Sequence, residues 1–443
     1  MRRTYLYALL FSVISIYSAQ AQEKQVLLEN VRILDHKTQS LTAACNVLIT
    51  GNVIQKISTS TITLNNKEVI RINGGGKTLM PGLIDVHVHM VFGSLTMAQM
   101  MTSDLTEEFL FKSIGQSAHN MLMRGFTSVR DVGGPIFPLK AAVDAGKITG
   151  PRIWPSGATV SQTAGHGDFR TPNEKSRRFF GEASRAEKYG ATFIADGRDE
   201  VLTAVRENLR FGASQIKLMA GGGTSSAYDP VDVTQYTLDE MKAAVEAAED
   251  WGTYVTVHAY TPRAIRRAIE AGVKCIEHGQ LLDEETLQLI AEKDIWLSLQ
   301  NLVESTPDMD PLRVEKRKPV IEGQEKVWPL AKKHKVKLAW GTDFLFEPEL
   351  NEKQNEFILR LQKWFTNAEI IKMITHDNAA LLQLSGLRSP YQGKLGVVEE
   401  GALADLLLVD GNPLKDLKLL ADPTKNFVVI MKDGKIYKNT LKK

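Results

Sequence analysis

The sequence predicts an α/β protein in which a (β/α)8 TIM-like barrel carries a small β-sandwich domain built from both chain termini. Three observations lead there. Apolar strand-like runs alternate with amphipathic helical stretches through the middle of the chain. Short β segments with tight turns occupy both ends. Residues able to hold a metal fall at the ends of successive middle strands, where such barrels keep their reactive groups.

The length of 443 residues suits one large domain and a smaller companion. With 43% hydrophobic and 24% charged residues, the composition is that of a soluble globular protein. The net charge is only +2, with both signs mixed, which argues against a nucleic-acid partner. The first residues have a separate logic. Arg2 and Arg3 precede an apolar run over 6–16, and Ser18-Ala19-Gln20-Ala21 offers a small-residue cleavage site. Residues 1–21 are therefore expected to be a signal peptide, giving an exported protein, periplasmic or secreted, with no membrane span after cleavage. Cys45 and Cys275 are too few to imply a disulfide framework.

Residues 22–80 read as the first part of the sandwich. Val26-Leu27-Leu28, Val31-Arg32-Ile33-Leu34, Asn46-Val47-Leu48-Ile49 and Val53-Ile54-Gln55-Lys56-Ile57 have strand texture, the last two separated by the Gly51-Asn52 turn. So small a sheet needs a partner. Residues 389–443 supply one: 401–409, 427–431 and the Lys432-Asp433-Gly434-Lys435 turn have the same texture. Between them, 81–388 forms the barrel. Its strands are expected at 83–89, 127–130, within 152–160, and at 215–219, 253–258, 274–278, 295–299 and 337–343. Helices are expected at 106–124, 139–145, 199–211, 238–251, 262–271, 284–293 and 323–334, with Thr237 and Glu240 forming a capping box. An open doubly wound sheet is disfavoured, because no Gly-rich phosphate turn follows the first strand.

The chemistry starts at Pro81-Gly82-Leu83-Ile84-Asp85-Val86-His87-Val88-His89. Side chains alternate along a strand, so His87 and His89 point the same way and can grip one metal ion. Lys217 on the fourth strand, His258 on the fifth, His278 on the sixth and Asp343 after the eighth would face the same mouth. Imidazoles, a carboxylate and an amine made anionic by CO2 (N6-carboxylysine at Lys217) would satisfy two divalent metals, zinc best, with Mn2+, Co2+ or Fe2+ as substitutes. Each residue alone is ordinary; their order along the strands is what carries the reading.

These motifs resemble the amidohydrolase superfamily, over essentially the whole mature chain. Ser128-Val129-Arg130-Asp131-Val132-Gly133-Gly134, Gly165-His166-Gly167-Asp168, Lys217-Leu218-Met219-Ala220-Gly221-Gly222-Gly223 and Ile276-Glu277-His278-Gly279 resemble its imidazolonepropionase-related branch, which contains metal-dependent prolidases and carboxy-terminal dipeptidases. The resemblance implies that His87, His89 and Asp343 bind the more buried metal, that His258 and His278 bind the other, and that carbamylated Lys217 bridges them. Where relatives often have Ala-Thr before Asn378, this chain has Thr375-His376-Asp377, and His376 reads as a cap or packing residue.

The implied reaction is hydrolysis of an amide C–N bond by a metal-bridging hydroxide, with Asp343 shuttling the proton to the departing amine. His166 is a candidate to polarise the carbonyl or hold the oxyanion. Tyr228, in the Gly-rich loop after the Lys217 strand, is a candidate for the substrate's free carboxylate. Arg130 either pairs with that carboxylate or makes a structural salt bridge. The expected substrate is a small molecule: a dipeptide (Xaa-Pro or another carboxy-terminal dipeptide) or an N-acyl amino acid. Assembly as a homo-oligomer fits the resemblance. An imidazolonepropionase-like cyclic amide hydrolase is the alternative, opposed by Lys217. A catalytically inactive barrel acting as a binding protein is opposed by the full set of ligands.

Overall fold

The computed structural model describes residues 24–64, 68–101, 106–305 and 309–441. The expected signal peptide lies outside the described residues. Among the described residues no helix is long and apolar enough to cross a membrane.

The middle of the chain forms two parallel sheets. Leu83–Val88, Phe126–Asp131 and Arg152–Pro155 make a three-stranded sheet. The seven-stranded sheet runs in spatial order Thr192–Ile194, Thr159–Ser161, Ile216–Met219, Val255–Ala259, Cys275–His278, Trp296–Leu299 and Lys337–Trp340. Nearly every residue of these strands is buried, as in parallel strands covered on both faces. The third expected strand is broken. Residues 156–158 interrupt it, its first half pairing with Phe126–Asp131 and its second with Ile216–Met219.

Polar groups tie the two sheets at both ends of the series. On one side, Ser214 N donates to Pro155 O at 2.7 Å and Gln215 Nε2 donates to Trp154 O at 3.0 Å. On the other, Asn378 Nδ2 donates to Ile84 O at 2.7 Å and to Trp340 O at 2.8 Å, so one amide spans the first and last strands. Asp343 N also donates to His87 O at 2.8 Å. A side chain at Gly341 would collide with the backbone of His87, so this close approach needs glycine.

The helices follow the expected signals. Thr237 and Glu240 complete a capping box on Leu238–Asp250. Thr261 caps Pro262–Ala271, which ends at left-handed Gly272. The helix expected at 323–334 is longer, spanning Pro311–Lys333. Asp310 caps its start, with Pro311 in the first turn, and Pro319 and Pro329 sit inside it. Pro311 and Pro319 interrupt the helical pattern of its first half, which is why the helix was expected only from 323.

Strands from both ends of the chain share one nine-stranded mixed sheet. The long strand Gln25–Asp35 organises it. Its first half pairs with Cys45–Thr50 and Ile70–Asn73, and its second with Ser40–Leu41 and Thr78–Pro81. Thr78–Pro81 continues to Leu406–Val409, which pairs with Phe427–Lys432. In hydrogen-bond terms this differs from the expected sandwich of two separate sheets, because one 11-residue strand is long enough to serve both halves. An apolar cluster of Val26, Val31, Val47, Leu79, Leu406 and Val429 packs the two halves together. His376 lies away from the strand ends and stacks on His36 with ring centroids 4.3 Å apart, the packing role expected of it.

Candidate metal centre and active site

Four histidines and an aspartate converge at the C-terminal ends of the parallel strands. Asp343 Oδ1 lies 3.2 Å from both His87 Nε2 and His89 Nε2, and Oδ2 lies 3.9 Å from His278 Nδ1. His87, His278 and Asp343 offer ligand atoms within 4.8 Å of one another. The His258 ring lies 4.3 Å from that of His278, centroid to centroid. Lys217 is fully buried on the strand between the His258 strand and residues 159–161, within the fields of Glu277 and Asp343. The structure thus gathers His87, His89, His258, His278 and Asp343, with Lys217 buried on the strand beside that of His258.

Three of the four imidazoles have one nitrogen fixed by the fold, which leaves the other as a ligand. His87 Nδ1 donates to Glu277 Oε2 at 2.7 Å, His89 Nδ1 to Gly133 O at 2.9 Å, and His258 Nε2 to Gly222 O at 3.0 Å. His87 Nε2 is buried without a hydrogen-bond partner. An orphaned buried nitrogen beside a carboxylate is the arrangement a metal ion would complete. Burial holds His258 and His278 well below the usual histidine range, which keeps both neutral and able to ligate. Burial opposes ionisation of Asp343, but the imidazoles of His87, His89 and His278 around it outweigh that and keep the carboxylate ionised. His278 (φ 77°) and Asp343 (φ 57°) both occupy the left-handed region, an unfavourable conformation that clusters at functional positions.

Beneath the ligands lies an ion pair absent from the sequence reading. Glu277 Oε1 accepts from Arg130 at 2.6 Å and from Thr256 Oγ1 at 2.5 Å, while its Oε2 holds His87. Glu277 and Arg130 are completely buried. The guanidinium of Arg130 also donates to Val86 O at 2.6 Å and to Tyr254 Oη at 3.0 Å. Arg130 therefore takes the structural of its two expected roles and not the substrate-binding one: all its reach is used below the metal ligands. A Glu inside a strand buried on both faces requires such a partner, and this was the available signal.

His166 is placed against the centre, its ring stacked on His258 with centroids 4.0 Å apart. Burial pushes its pKa down to about 4, against the pull of Asp229, so the ring is neutral at pH 7. Nδ1 sits 2.7 Å from Ser226 Oγ, which can donate to it and leave Nε2–H as the donor of the ring. The loop passes so close that a side chain at Gly223 would overlap the His166 ring. Tyr228 is partly exposed, and its hydroxyl donates to Arg170 O at 2.9 Å. It lines an apolar cavity of about 330 Å3 together with Phe92, Phe169 and Phe346. The Phe92 ring lies 6.2 Å from that of His89, so this cavity adjoins the centre.

The model of the amidohydrolase family matches residues 78–440, which contain every residue of the centre. The chain belongs to the amidohydrolase family. This amidohydrolase is 34% identical over 373 residues to ochratoxinase of Aspergillus niger, covering 81% of this chain and 75% of that protein. A prolidase solved with N-methylphosphonate-L-proline superposes with a TM-score of 0.85 at 33% identity, covering 94% of this chain and 100% of that one. A Xaa-Pro dipeptidase with methionine bound in its active site gives a TM-score of 0.79 at 30% identity, again over 94% and 100%. The amidohydrolase is a hydrolase acting on carbon–nitrogen bonds, in a family typically dependent on metal.

Proposed function

We propose that this amidohydrolase cleaves the amide C–N bond of dipeptides, Xaa-Pro or other carboxy-terminal dipeptides, or of N-acyl amino acids, with two divalent metal ions, zinc the best suited. The observation that carries the reading is the convergence of His87, His89, His278 and His258 on Asp343, each histidine whose other nitrogen the fold engages keeping one free for a ligand. The prolidase and Xaa-Pro dipeptidase among its structural relatives support a dipeptide substrate. Ochratoxinase supports a broader amide class. On this reading the two parallel sheets close into one (β/α)8 barrel, whose first and last strands Asn378 bridges.

His87, His89 and Asp343 would hold one ion and His258 and His278 the other, with Lys217 as the bridge. Burial lowers the pKa of the Lys217 amine, and the neutral amine is the form that adds CO2 to become a carboxylate. When bound, the ions activate a water and polarise the scissile carbonyl. Asp343 takes the proton of the attacking water and passes it to the departing amine. Nε2–H of His166 faces the developing oxyanion as a neutral donor. The apolar cavity beside Phe92 takes the bulk of the substrate. Export after cleavage behind Ala21 is part of the proposal, and N-terminal sequencing of the secreted protein tests it.

The decisive experiment measures metal content and hydrolysis together. Zinc-loaded protein should hold about two ions per chain and cleave members of a panel of L-Xaa-L-Xaa dipeptides and N-acyl amino acids. One ion or none, or no turnover across the panel, would sink the proposal.

A further inference from the structure

Residues 221–235 close beside His166 as a loop drawn together by one carboxylate. Gly221 bridges to Thr234, and a side chain at Gly222 would collide with Pro230 O, so the two arms of the loop lie against each other. The side chain of Asp229, in this loop, is completely buried. Its Oδ2 accepts from Gly223 N at 2.7 Å and from Gln235 Nε2 at 3.2 Å. Its Oδ1 has no hydrogen-bond partner among the described residues and faces Lys316 Nζ at 3.9 Å. Lys316 is itself held in place, donating to Ser226 O at 2.7 Å. Burying a carboxylate is costly, and here the hydrogen bonds and a counter-ion offset that cost.

Both bonds of Oδ2 lead to His166. Gln235 is buried, and its Oε1 accepts from His166 N at 2.9 Å while its Nε2 donates to Asp229. That amide can face only one way: turned over, it would set a donor against His166 N and an acceptor against the carboxylate. The other bond ends on Gly223, whose backbone lies against the His166 ring. Asp229 Oδ2 itself stands 3.7 Å from His166 Nδ1, beyond hydrogen-bond reach, so the carboxylate acts on the ring through Gln235 and Gly223. The ring so held is stacked on His258, whose Nε2 is tied to Gly222 O of the same loop.

We infer that Asp229 is the positioning residue of His166: by holding Gly223 and Gln235 with one oxygen, it fixes where the imidazole stands over the candidate metal centre. The inference rests on the proposed part of His166 as donor to the oxyanion. A donor serves there only within about 2.7–3.1 Å of the developing charge. A ring misplaced by about 1 Å loses much of its effect on the rate.

The test is steady-state kinetics at saturating zinc on the full chain, with Asp229→Ala, Asp229→Asn, His166→Ala and the double variant Asp229→Ala/His166→Ala, on a panel substrate the wild type cleaves. His166→Ala should lower kcat by about 10²-fold, the scale of one lost oxyanion donor. Asp229→Ala should lower kcat by about 10-fold with KM nearly level, and the double variant should be no slower than His166→Ala, because a positioning residue has nothing to act through once the ring is gone. Asparagine can set an oxygen in the place of Oδ2 and keep both bonds, so Asp229→Asn should restore most of the lost kcat. Wild-type kcat in Asp229→Ala, or a further fall in the double variant, would overturn this inference and leave the hydrolase reading intact. So would an Asp229→Asn as slow as Asp229→Ala, which would assign the effect to charge and Lys316. So would loss of zinc from Asp229→Ala, which would make the loop a support for His258. Unchanged kcat in His166→Ala would overturn both this inference and the part given to His166, and no turnover by the wild type would overturn the hydrolase reading with them. Where Asp229→Ala does not fold, Gln235→Met cuts one arm with the carboxylate in place and carries the same comparison: a lower kcat alone, and no further loss beside His166→Ala.

Discussion

Glu277 Oε2 stands 2.7 Å from His87 Nδ1, while the other oxygen of the same carboxylate holds Arg130 at 2.6 Å. One buried carboxylate therefore fixes the tautomer of a candidate metal ligand and neutralises the cation beneath it. Such outer partners tune metal affinity by about 10–100-fold. Glu277→Gln should weaken zinc binding on that scale, measured by competition with a chromophoric chelator, with the fold retained. Glu277→Ala should do worse, since it strands Arg130 as an unpaired buried charge, at a cost of about 3–5 kcal/mol in denaturant unfolding. Unaltered zinc affinity in both variants would show that His87 needs no such orientation.

Asp343 carries both a ligand role and a proton role in the proposed mechanism. Asp343→Asn is expected to lower kcat by roughly 10²–10⁴-fold, the usual scale for a general base. Steady-state kinetics at saturating zinc check this. An unchanged kcat would remove Asp343 from the proton path.

Lys217 makes a prediction about carbon dioxide. Protein stripped of metal and degassed should take up its full metal content only when bicarbonate is supplied with the zinc. Lys217→Ala should not respond to bicarbonate. Metal analysis after gel filtration reads both. Full loading without bicarbonate would exclude the carbamate.

At the surface, Glu399 joins Lys37 at 2.8 Å and Lys394, tying the turn after Gln25–Asp35 to the segment before Leu406–Val409. Hydrogen bonds from Lys37 and Lys394 lower its pKa from 4.5 to about 2. Because the folded pKa is depressed, the stabilisation is complete above pH 4.5 and is lost as the pH falls from 4.5 toward 2. The site is largely exposed, so the effect is small, up to about 1 kcal/mol. Glu399→Gln should lower Tm slightly at pH 6 and converge with the wild type near pH 2. A difference independent of pH would mean that packing, and not charge, is involved.

The candidate ligands were legible because strand ends impose order: His87, His89, Lys217, His258, His278 and Asp343 occur in the sequence as successive parallel strands deliver them. Glu277 was visible as a motif letter but silent as to role, because its partners Arg130 and His87 lie 147 and 190 residues away. The start of the helix Pro311–Lys333 was missed for a different reason: Pro311 and Pro319 interrupt the helical pattern there, so the helix was expected only from 323. The third strand failed in detail because an interruption of three residues changes pairing partners without changing the apolar pattern. Periodicity records which side chains are buried, and pairing is decided elsewhere.

The sheet shared by the chain termini sets a timetable. Thr78–Pro81 leads within two residues into the strand of His87, and its flanks are Gln25–Asp35, made early, and Leu406–Val409, made nearly last. During synthesis the strand that launches the metal site keeps one edge open until more than nine-tenths of the chain has emerged. Asn378, which clamps the first strand to the last, arrives almost as late. A chain stopped short of 406 leaves the ribosome with an unpaired strand edge for others to find.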